Sequence, residues 1–446
     1  MKMTKESILT QVKNSANPKV KVAITDLDGV LRGKYLHKDK FLSAAESGFG
    51  FCDVVFGWDI NDLAYEGMDF TGWHTGYPDA NASLDLSTFR KVPWDNDVPF
   101  FLGDFNNDVC PRNLLRKIKA ECEKAGFKPS FGQEFEWFNF RETTESLNAR
   151  NFNEPNPLTP GMFGYSILRM AKNSEFLNDI YDLMYKFNVP IEGLHTETGP
   201  GVLEAAILYG DVLESADRAV LFKSGVKEIG LRYDIMPTFM AKISEKLPGC
   251  SGHLHQSLWD EKNNLFYSDA SKTKMSEVME SYIAGLLHCL PYVLPMYAPT
   301  INSFKRLVEG AWAPTTMTWG IDNRTTCIRA LPGSSKSTRI ELRVVGSDAN
   351  PYLAHAAALA SGLYGVKNKM KLDVKMTEGN GYRDLSNGVL PRNLWDATVA
   401  MKSSTLAQEL FGAEFVKHFS ATREWEWRQH AKSVTDWEYK RYFEIV

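Results

Sequence analysis

The sequence predicts an α+β protein in two parts, a small β-rich N-terminal domain and a larger domain in which strands and helices alternate. Three observations carry that prediction. Charged and apolar residues alternate at strand period in Arg339-Ile340-Glu341-Leu342-Arg343, in Gln133-Glu134-Phe135-Glu136-Trp137 and in His253-Leu254-His255, which puts each polar set on one face. Helical spacing is equally plain elsewhere: Met279, Tyr282, Ile283, Leu286, Leu287 and Leu290 form one apolar stripe, which reads as core. The character of the chain also changes between Asn106 and Pro111, from aromatic, Gly- and Asp-rich sequence to an amphipathic helix.

In chain order, residues 1–16 read as a short polar helix ending near Asn17-Pro18. The runs 20–26 and 30–35 read as strands joined around Asp28-Gly29, a short-range hairpin signal. The same string, ITDLDGVL, resembles the first motif of haloacid dehalogenase-type phosphatases, with Asp26 and Asp28 as nucleophile and acid/base. That resemblance stops after eight residues, so the aspartates are expected to make the turn. Fragments such as Ala82–Leu86 and Pro99–Leu102 complete a β-rich domain over 17–105. The larger domain, 106–446, opens with Pro111 and a helix over 113–125 closed by Gly126, the expected placement of Pro and Gly at helix ends. Further helices are predicted over 174–187, 215–228 and 276–290, from Asn350-Pro351 toward Tyr364, and through much of 394–443. The polar, Pro- and Asn-rich stretch 143–160 reads as a mobile surface loop.

Composition narrows the function. A chain of 446 residues, 43% hydrophobic and 24% charged with a net charge of −4, has no basic footprint for nucleic acid or an anionic membrane. Its six cysteines show no CxxC spacing, which fits reduced thiols. The N-terminus lacks an apolar leader, and no uncharged apolar run reaches about 18 residues. A cytoplasmic protein acting on small molecules is expected.

A face carrying carboxylates, imidazoles and guanidinium groups is costly to bury unless something balances it. One such face alone would be read as solvated sheet. Three together, with Glu197 and Glu204 flanking a Gly-Pro-Gly turn, point to divalent cations, and the oxygen-rich donor set suits Mg²⁺ or Mn²⁺ rather than zinc.

The segments FGQEFEWF (131–138), HTETGPGVLEAAI (195–207), GCSGHLHQSLWD (249–260), NSFKRLVEGAWAP (302–314), NRTTCIR (323–329), RIELRV (339–344) and DANPYLA (348–354) resemble the glutamine synthetase superfamily in order and spacing. The resemblance implies an N-terminal β-grasp domain, a C-terminal catalytic domain built round an antiparallel funnel, and a homo-oligomer of two stacked hexameric rings with active sites between neighbours. It implies two or more Mg²⁺ or Mn²⁺ ions per site, one held by Glu136, Glu197 and Glu204 and another by Glu134, His253 and Glu341. Arg306 would pair with the α-carboxylate of glutamate, with Arg343 near its γ-carboxylate and the Gly249 backbone near its amino group. His255, Ser257, Lys336 and Arg339 resemble ATP-binding positions, and Arg324 and Arg329 phosphate clamps. The implied reaction is ATP-dependent formation of γ-glutamyl phosphate, then attack by an amine to give a γ-glutamyl amide and ADP.

Departures from the family pattern bear on the amine. Val202 stands where synthetases that use ammonium carry Gln, Trp312 stands at the flap Glu, and Phe56-Gly57-Trp58-Asp59 replaces an Asp-Gly-Ser-Ser loop, leaving Asp59 as a candidate replacement carboxylate. The tyrosine of the adenylylation loop has no placed counterpart. These changes resemble the γ-glutamylpolyamine and γ-glutamyl-alkylamide synthetases, so an organic amine is expected, with Trp312 and Trp58 beside it. The alternatives are ammonium as substrate, a phosphatase, and an inactive structural relative, the last disfavoured because all six metal positions hold competent ligands.

Overall fold

Along the longest strand, Phe135 and Trp137 point into the core while Glu134 and Glu136 point away from it, as period-2 alternation requires. This computed structural model describes residues 3–446. Its strands are β1 (Lys19–Thr25), β2 (Leu31–His37), β3 (Phe49–Cys52), β4 (Asp79–Leu84), β5 (Arg90–Val92), β6 (Val98–Phe105), β7 (Lys128–Phe140), β8 (Ile191–Thr196), β9 (Val202–Ile207), β10 (Gly210–Asp211), β11 (Met236–Thr238), β12 (Gly252–Trp259), β13 (Trp319–Ile321), β14 (Ile328–Leu331) and β15 (Arg339–Leu342). They form two sheets. The first, six-stranded, runs β2-β1-β6-β4-β3 with β5 also on β6, and β1 lies parallel to β6. The helix Lys38–Ser47 packs on it through Phe41, whose ring lies 4.6 Å from that of Phe101. This mixed sheet with its gripped helix is the β-grasp arrangement.

The second sheet has nine strands in the order β13-β14-β15-β12-β7-β9-β8, with β10 and β11 against β7. All its pairings are antiparallel except β13 with β14. At its centre, His253 lies opposite Glu134, and Glu136 opposite Glu204. Aromatic packing holds the helix Val212–Gly230 against the back of β7, with the Phe135 and Phe222 rings parallel at 6.0 Å. The fold is therefore α+β.

Helix ends follow their caps. The N-terminal helix is Lys5–Lys13, capped by Thr4 and shorter than residues 1–16 suggest. Pro111 takes the first turn of Pro111–Lys124, and Gly126 follows with φ +87°. Ser276 caps Glu277–Val293, and Asn350 caps Pro351–Lys367. The stretch 143–160 lies mostly at the surface and carries some regular structure. It holds a short helix, Thr144–Asn148, under a Thr143 capping box, and buried Leu158 donates its N–H to Asn139 O at 2.9 Å.

Asp26 is consumed by the hairpin. Its Oδ1 accepts from the N–H groups of Asp28 and Val30 at 3.0 and 2.9 Å, and its Oδ2 pairs with Arg32 at 2.8 Å. Gly29 has φ +82°, and a Cβ there would stand 3.0 Å from Asn350 Cα, so the turn needs glycine. Nothing in this geometry presents a nucleophile.

Arg112 joins the sheets. Buried at 2% exposure, it binds Asp217 at 2.8 Å, Asp104 at 2.7 Å and Asp85 at 2.8 Å, while the Tyr352 hydroxyl donates to Asp217 at 2.7 Å. His418 makes a second link, bonding Phe56 O through Nε2 at 2.9 Å. Burial pushes the pKa values of His418 and of His355 down from 6.5 to about 4. Between those limits the unfolded chain takes up protons that the fold refuses. The contribution of each is therefore complete above pH 6.5 and declines, at most by about 1.4 kcal/mol per pH unit, as pH falls toward 4. The melting temperature is expected to drop from pH 7 to pH 5, and less steeply in His418→Gln. An equal slope in that variant would contradict this assignment.

Candidate active site

The turn between β8 and β9 brings two carboxylates together. Glu197 N donates to Val202 O at 3.0 Å across Gly199-Pro200-Gly201, and a Cβ on Gly201 (φ +73°) would fall 2.4 Å from Asn139 O. Glycine is thus imposed by the close approach of β7. His195, Glu197 and Glu204 offer ligand atoms within 4.8 Å of one another, with His195 Nε2 3.4 Å from Glu204 Oε1. Glu136 faces Glu204 across the β7/β9 pairing, and its Oε2 accepts from Ser251 N at 2.7 Å.

A second cluster adjoins the first. His253 Nδ1 stands 3.4 Å from Glu341 Oε1 and 3.9 Å from Glu134 Oε1, while His255 Nε2 lies 3.0 Å from Glu134 Oε2. Arg329 binds Glu341 Oε2 at 2.8 Å, and Arg343 binds Oε1. Burial would raise the Glu341 pKa, but His253, Arg343, His255 and Arg329 bring it down to about 2. Glu204 goes the other way. Burial, then the neighbouring Glu134, Glu136 and Glu197, push it far above the carboxylate range. Glu134 is held well below that range, against burial, by His253, His255 and Glu204.

The donor set fits divalent cations. Five carboxylates and the His253 imidazole are grouped here, with His253 Nδ1 3.4 Å from Glu341 Oε1 and 3.9 Å from Glu134 Oε1, and an oxygen-rich set with an occasional imidazole suits Mg²⁺ or Mn²⁺.

Beside Glu134 opens a cavity of about 350 Å³, and His255, Ser257, Lys336 and Arg339 all line it. Arg339 Nε donates to His255 Nδ1 at 3.2 Å, and Ser257 Oγ accepts from Trp259 Nε1 at 2.9 Å. Arg324 is exposed on the loop before β14, and its carbonyl accepts from Arg343 Nε at 3.0 Å. Arg343 also donates through Nη2 to Trp312 O at 3.3 Å, tying the flap to the Glu341 cluster. Trp312 itself is 57% exposed, with φ +59°.

Arg306, Asp59, Trp58 and Val202 each hold contacts within the fold. Arg306, 1% exposed, gives its Nη groups to the carbonyls of Arg343, Val344 and Val345 at 2.9–3.1 Å. In this conformation it braces the sheet edge below the site, where Gly249 leaves room for it: a Cβ there would sit 2.5 Å from Arg306 Cγ. Asp59 is tied into its own turn. Its Oδ1 accepts from the N–H groups of Asn61 and Leu63 at 2.9 and 3.0 Å, and its Oδ2 from Trp425 Nε1 at 3.0 Å. Trp58 lies under the Arg32 guanidinium at 5.0 Å. Val202 packs with Phe138, Phe140 and Cys250 and contributes only apolar surface.

Sequence reasoning passed over His195 and Tyr165. Their rings stack with centroids 4.3 Å apart, which places Tyr165 over the Glu197/Glu204 cluster. His195 was open to discovery, since it lies two residues from Glu197 on one strand face. Tyr165, at φ +53° in an irregular segment, carries no periodic signal.

Comparison with known proteins bears on the chain as a whole. The family model "Glutamine synthetase, catalytic domain" matches residues 108–442. "Type-1 glutamine synthetase 2" of Dictyostelium discoideum is 52% identical over 98% of this chain and 86% of its own length. "Glutamate--isopropylamine ligase" of Pseudomonas sp is 35% identical over 96% of this chain and 95% of its own. Among solved structures, a GmaS/ADP complex superposes with a TM-score of 0.85 at 26% identity, covering 99% of this chain and 100% of that one. With its catalytic sheet, its paired carboxylate clusters and these relatives, the chain belongs to the glutamine synthetase family of ligases.

Proposed function

We propose that this enzyme joins the γ-carboxylate of L-glutamate to a primary organic amine, with ATP consumed and γ-glutamyl phosphate as the intermediate. A carboxylate is a poor electrophile, so phosphorylation must precede attack. The Glu134/His253/Glu341 and Glu136/Glu197/Glu204 clusters would hold Mg²⁺ or Mn²⁺, which supplies charge neutralisation on the transferring phosphoryl group. His255, Ser257, Lys336 and Arg339 bind the nucleotide in the cavity they line, while Arg324 and Arg329 steady phosphate. Arg343 orients the γ-carboxylate, and Arg306 and the Gly249 backbone define the other end of glutamate.

The observation that carries the choice of amine is Trp312, a flap indole exposed at 57% and held through its carbonyl by Arg343. Ammonium needs acceptors and must shed a proton before attack, which calls for carboxylates around it. Asp59 is committed to Trp425 and its own turn, and Val202 is apolar. An indole packs against an alkyl group or faces its ammonium for about 0.5 to 2 kcal/mol. The name of the Pseudomonas relative agrees with this reading, and that of the Dictyostelium relative favours a second one, ammonium as substrate.

Residues 1–16, 17–105 and 106–446 are taken as helix, β-grasp domain and catalytic domain of a cytoplasmic subunit. Its working form is taken to be a ring-forming homo-oligomer, a dodecamer on the family pattern. No helix among the described residues is long and apolar enough to cross a membrane.

ADP release with glutamate, ATP and Mg²⁺ is expected to show kcat/KM for methylamine or a longer alkylamine at least tenfold above that for ammonium. Trp312→Ala should lower the alkylamine value by roughly 2- to 30-fold, the same 0.5 to 2 kcal/mol, and leave ammonium nearly unchanged. Preference for ammonium by tenfold or more would make this a divergent glutamine synthetase.

A further inference from the structure

The segment just past β15, Gly346 to Ala349, touches both halves of the site. Ser347 Oγ donates to Glu136 O at 2.6 Å, and Ser347 N donates to Cys250 O at 3.2 Å. With Ser251 N on its carboxylate, Glu136 is thus fixed through both backbone and side chain. One residue on, Asp348 Oδ2 accepts from Thr300 Oγ1 at 2.9 Å and Ser303 Oγ at 2.5 Å, at the start of the helix Ile301–Arg306. The far end of that helix carries Arg306. A four-residue turn therefore sets the position of a cation-cluster carboxylate and of the helix bearing Arg306.

The turn is itself pinned from outside. Lys223, on the helix Val212–Gly230, passes its side chain by the rings of Phe135 and Phe239, with Nζ 5.7 and 5.5 Å from their centroids. Its Nζ donates to Ser347 O at 2.9 Å and to Ala349 O at 3.2 Å. Both bonds go to carbonyls rather than to a carboxylate, so this amine serves the backbone of the turn. Burial lowers the Lys223 pKa to about 7, but in either protonation state the amine can donate to both carbonyls, and removing it leaves both acceptors short of a partner.

We infer that Lys223 is a positioning residue for the active site: through the 346–349 turn it holds Glu136 in the register that binds a divalent cation. This rests on the reading of Glu136 as a cation ligand and not on the identity of the amine. A helix-to-sheet strut alone would affect stability without affecting cation binding, which gives the test its discrimination.

The test is thermal protection of the full-length protein by Mn²⁺ alone, titrated without glutamate, ATP or amine. Lys223→Met and Ser347→Ala remove opposite ends of the linkage, and each is expected to raise the Mn²⁺ concentration for half-maximal protection fivefold or more. Lys227→Met, an exposed position on the same helix, should leave it within twofold. In turnover assays the Lys223→Met effect should appear as a higher Mn²⁺ requirement that Lys223→Arg largely restores. Should Lys223→Met fail to fold, Ser347→Ala decides by the same criterion. A lowered metal-free melting temperature with an unchanged Mn²⁺ midpoint would overturn the inference. Absence of Mn²⁺ protection in the parent protein would instead sink the cation reading beneath it, and preference for one amine over another touches neither.

Discussion

Stripping divalent cations from this protein is expected to abolish turnover and to lower its melting temperature by several degrees. The carboxylates of Glu134, Glu136, Glu197, Glu204 and Glu341 lie close to His253 in buried or half-buried positions, and burial, then the neighbouring carboxylates, push the Glu204 pKa far up. A ligand that binds only the fold stabilises it by about 2.7 kcal/mol at 100 times its dissociation constant, and chelation removes that contribution. Glu341→Gln should have the same catalytic effect from one side, because its carboxylate also anchors Arg329 and Arg343. Full activity in excess chelator would contradict the assignment of both clusters.

Arg112→Met is expected to be the most destabilising single substitution away from the site. It would leave Asp217, Asp104 and Asp85 without the guanidinium that all three share. Arg116 still reaches Asp104 and Asp85, but Asp217 would retain only the Tyr352 hydroxyl among the bonds described above. Breaking a buried ion pair from one side costs about 3–5 kcal/mol, a large part of the ~5–15 kcal/mol that holds a typical domain together. Urea denaturation or soluble yield measures the loss. Because the cost lies in the charge left behind, Arg112→Met/Asp217→Leu should recover part of it. A single variant within about 1 kcal/mol of the parent would show that water reaches the cluster.

What the sequence made legible follows from the range of the interactions. Glu134 and Glu136 were readable because Phe135 and Trp137 alternate with them, and Glu197 with Glu204 because a Gly-Pro-Gly turn lies between. Helix starts at Pro111, Ser276 and Asn350 were readable because caps are local chemistry. The haloacid dehalogenase-like string was a local likeness, and the structure spends Asp26 on its own turn. Long-range partners carried no such signal. Asp59, the candidate replacement for an ammonium-holding aspartate, gives part of its acceptor capacity to Trp425, 366 positions away. Arg306 spends its donors on the carbonyls of 343–345, a commitment that no spacing within NSFKR announces. The central place of β7 was equally hidden, since its neighbours β9 and β12 come from distant parts of the chain.

The central claim is that the nitrogen donor is an organic amine, and competition tests it most directly. With ATP, glutamate and Mg²⁺ present, ¹⁵N-ammonium and a primary alkylamine at equal concentration would be offered to the purified enzyme, and the two γ-glutamyl products weighed by mass spectrometry. The ratio of products equals the ratio of kcat/KM values for the two donors. An excess of the γ-glutamyl alkylamide of tenfold or more is the predicted result. Glutamine as the dominant product would contradict it, and would mean that Trp312 packs the flap without choosing the substrate.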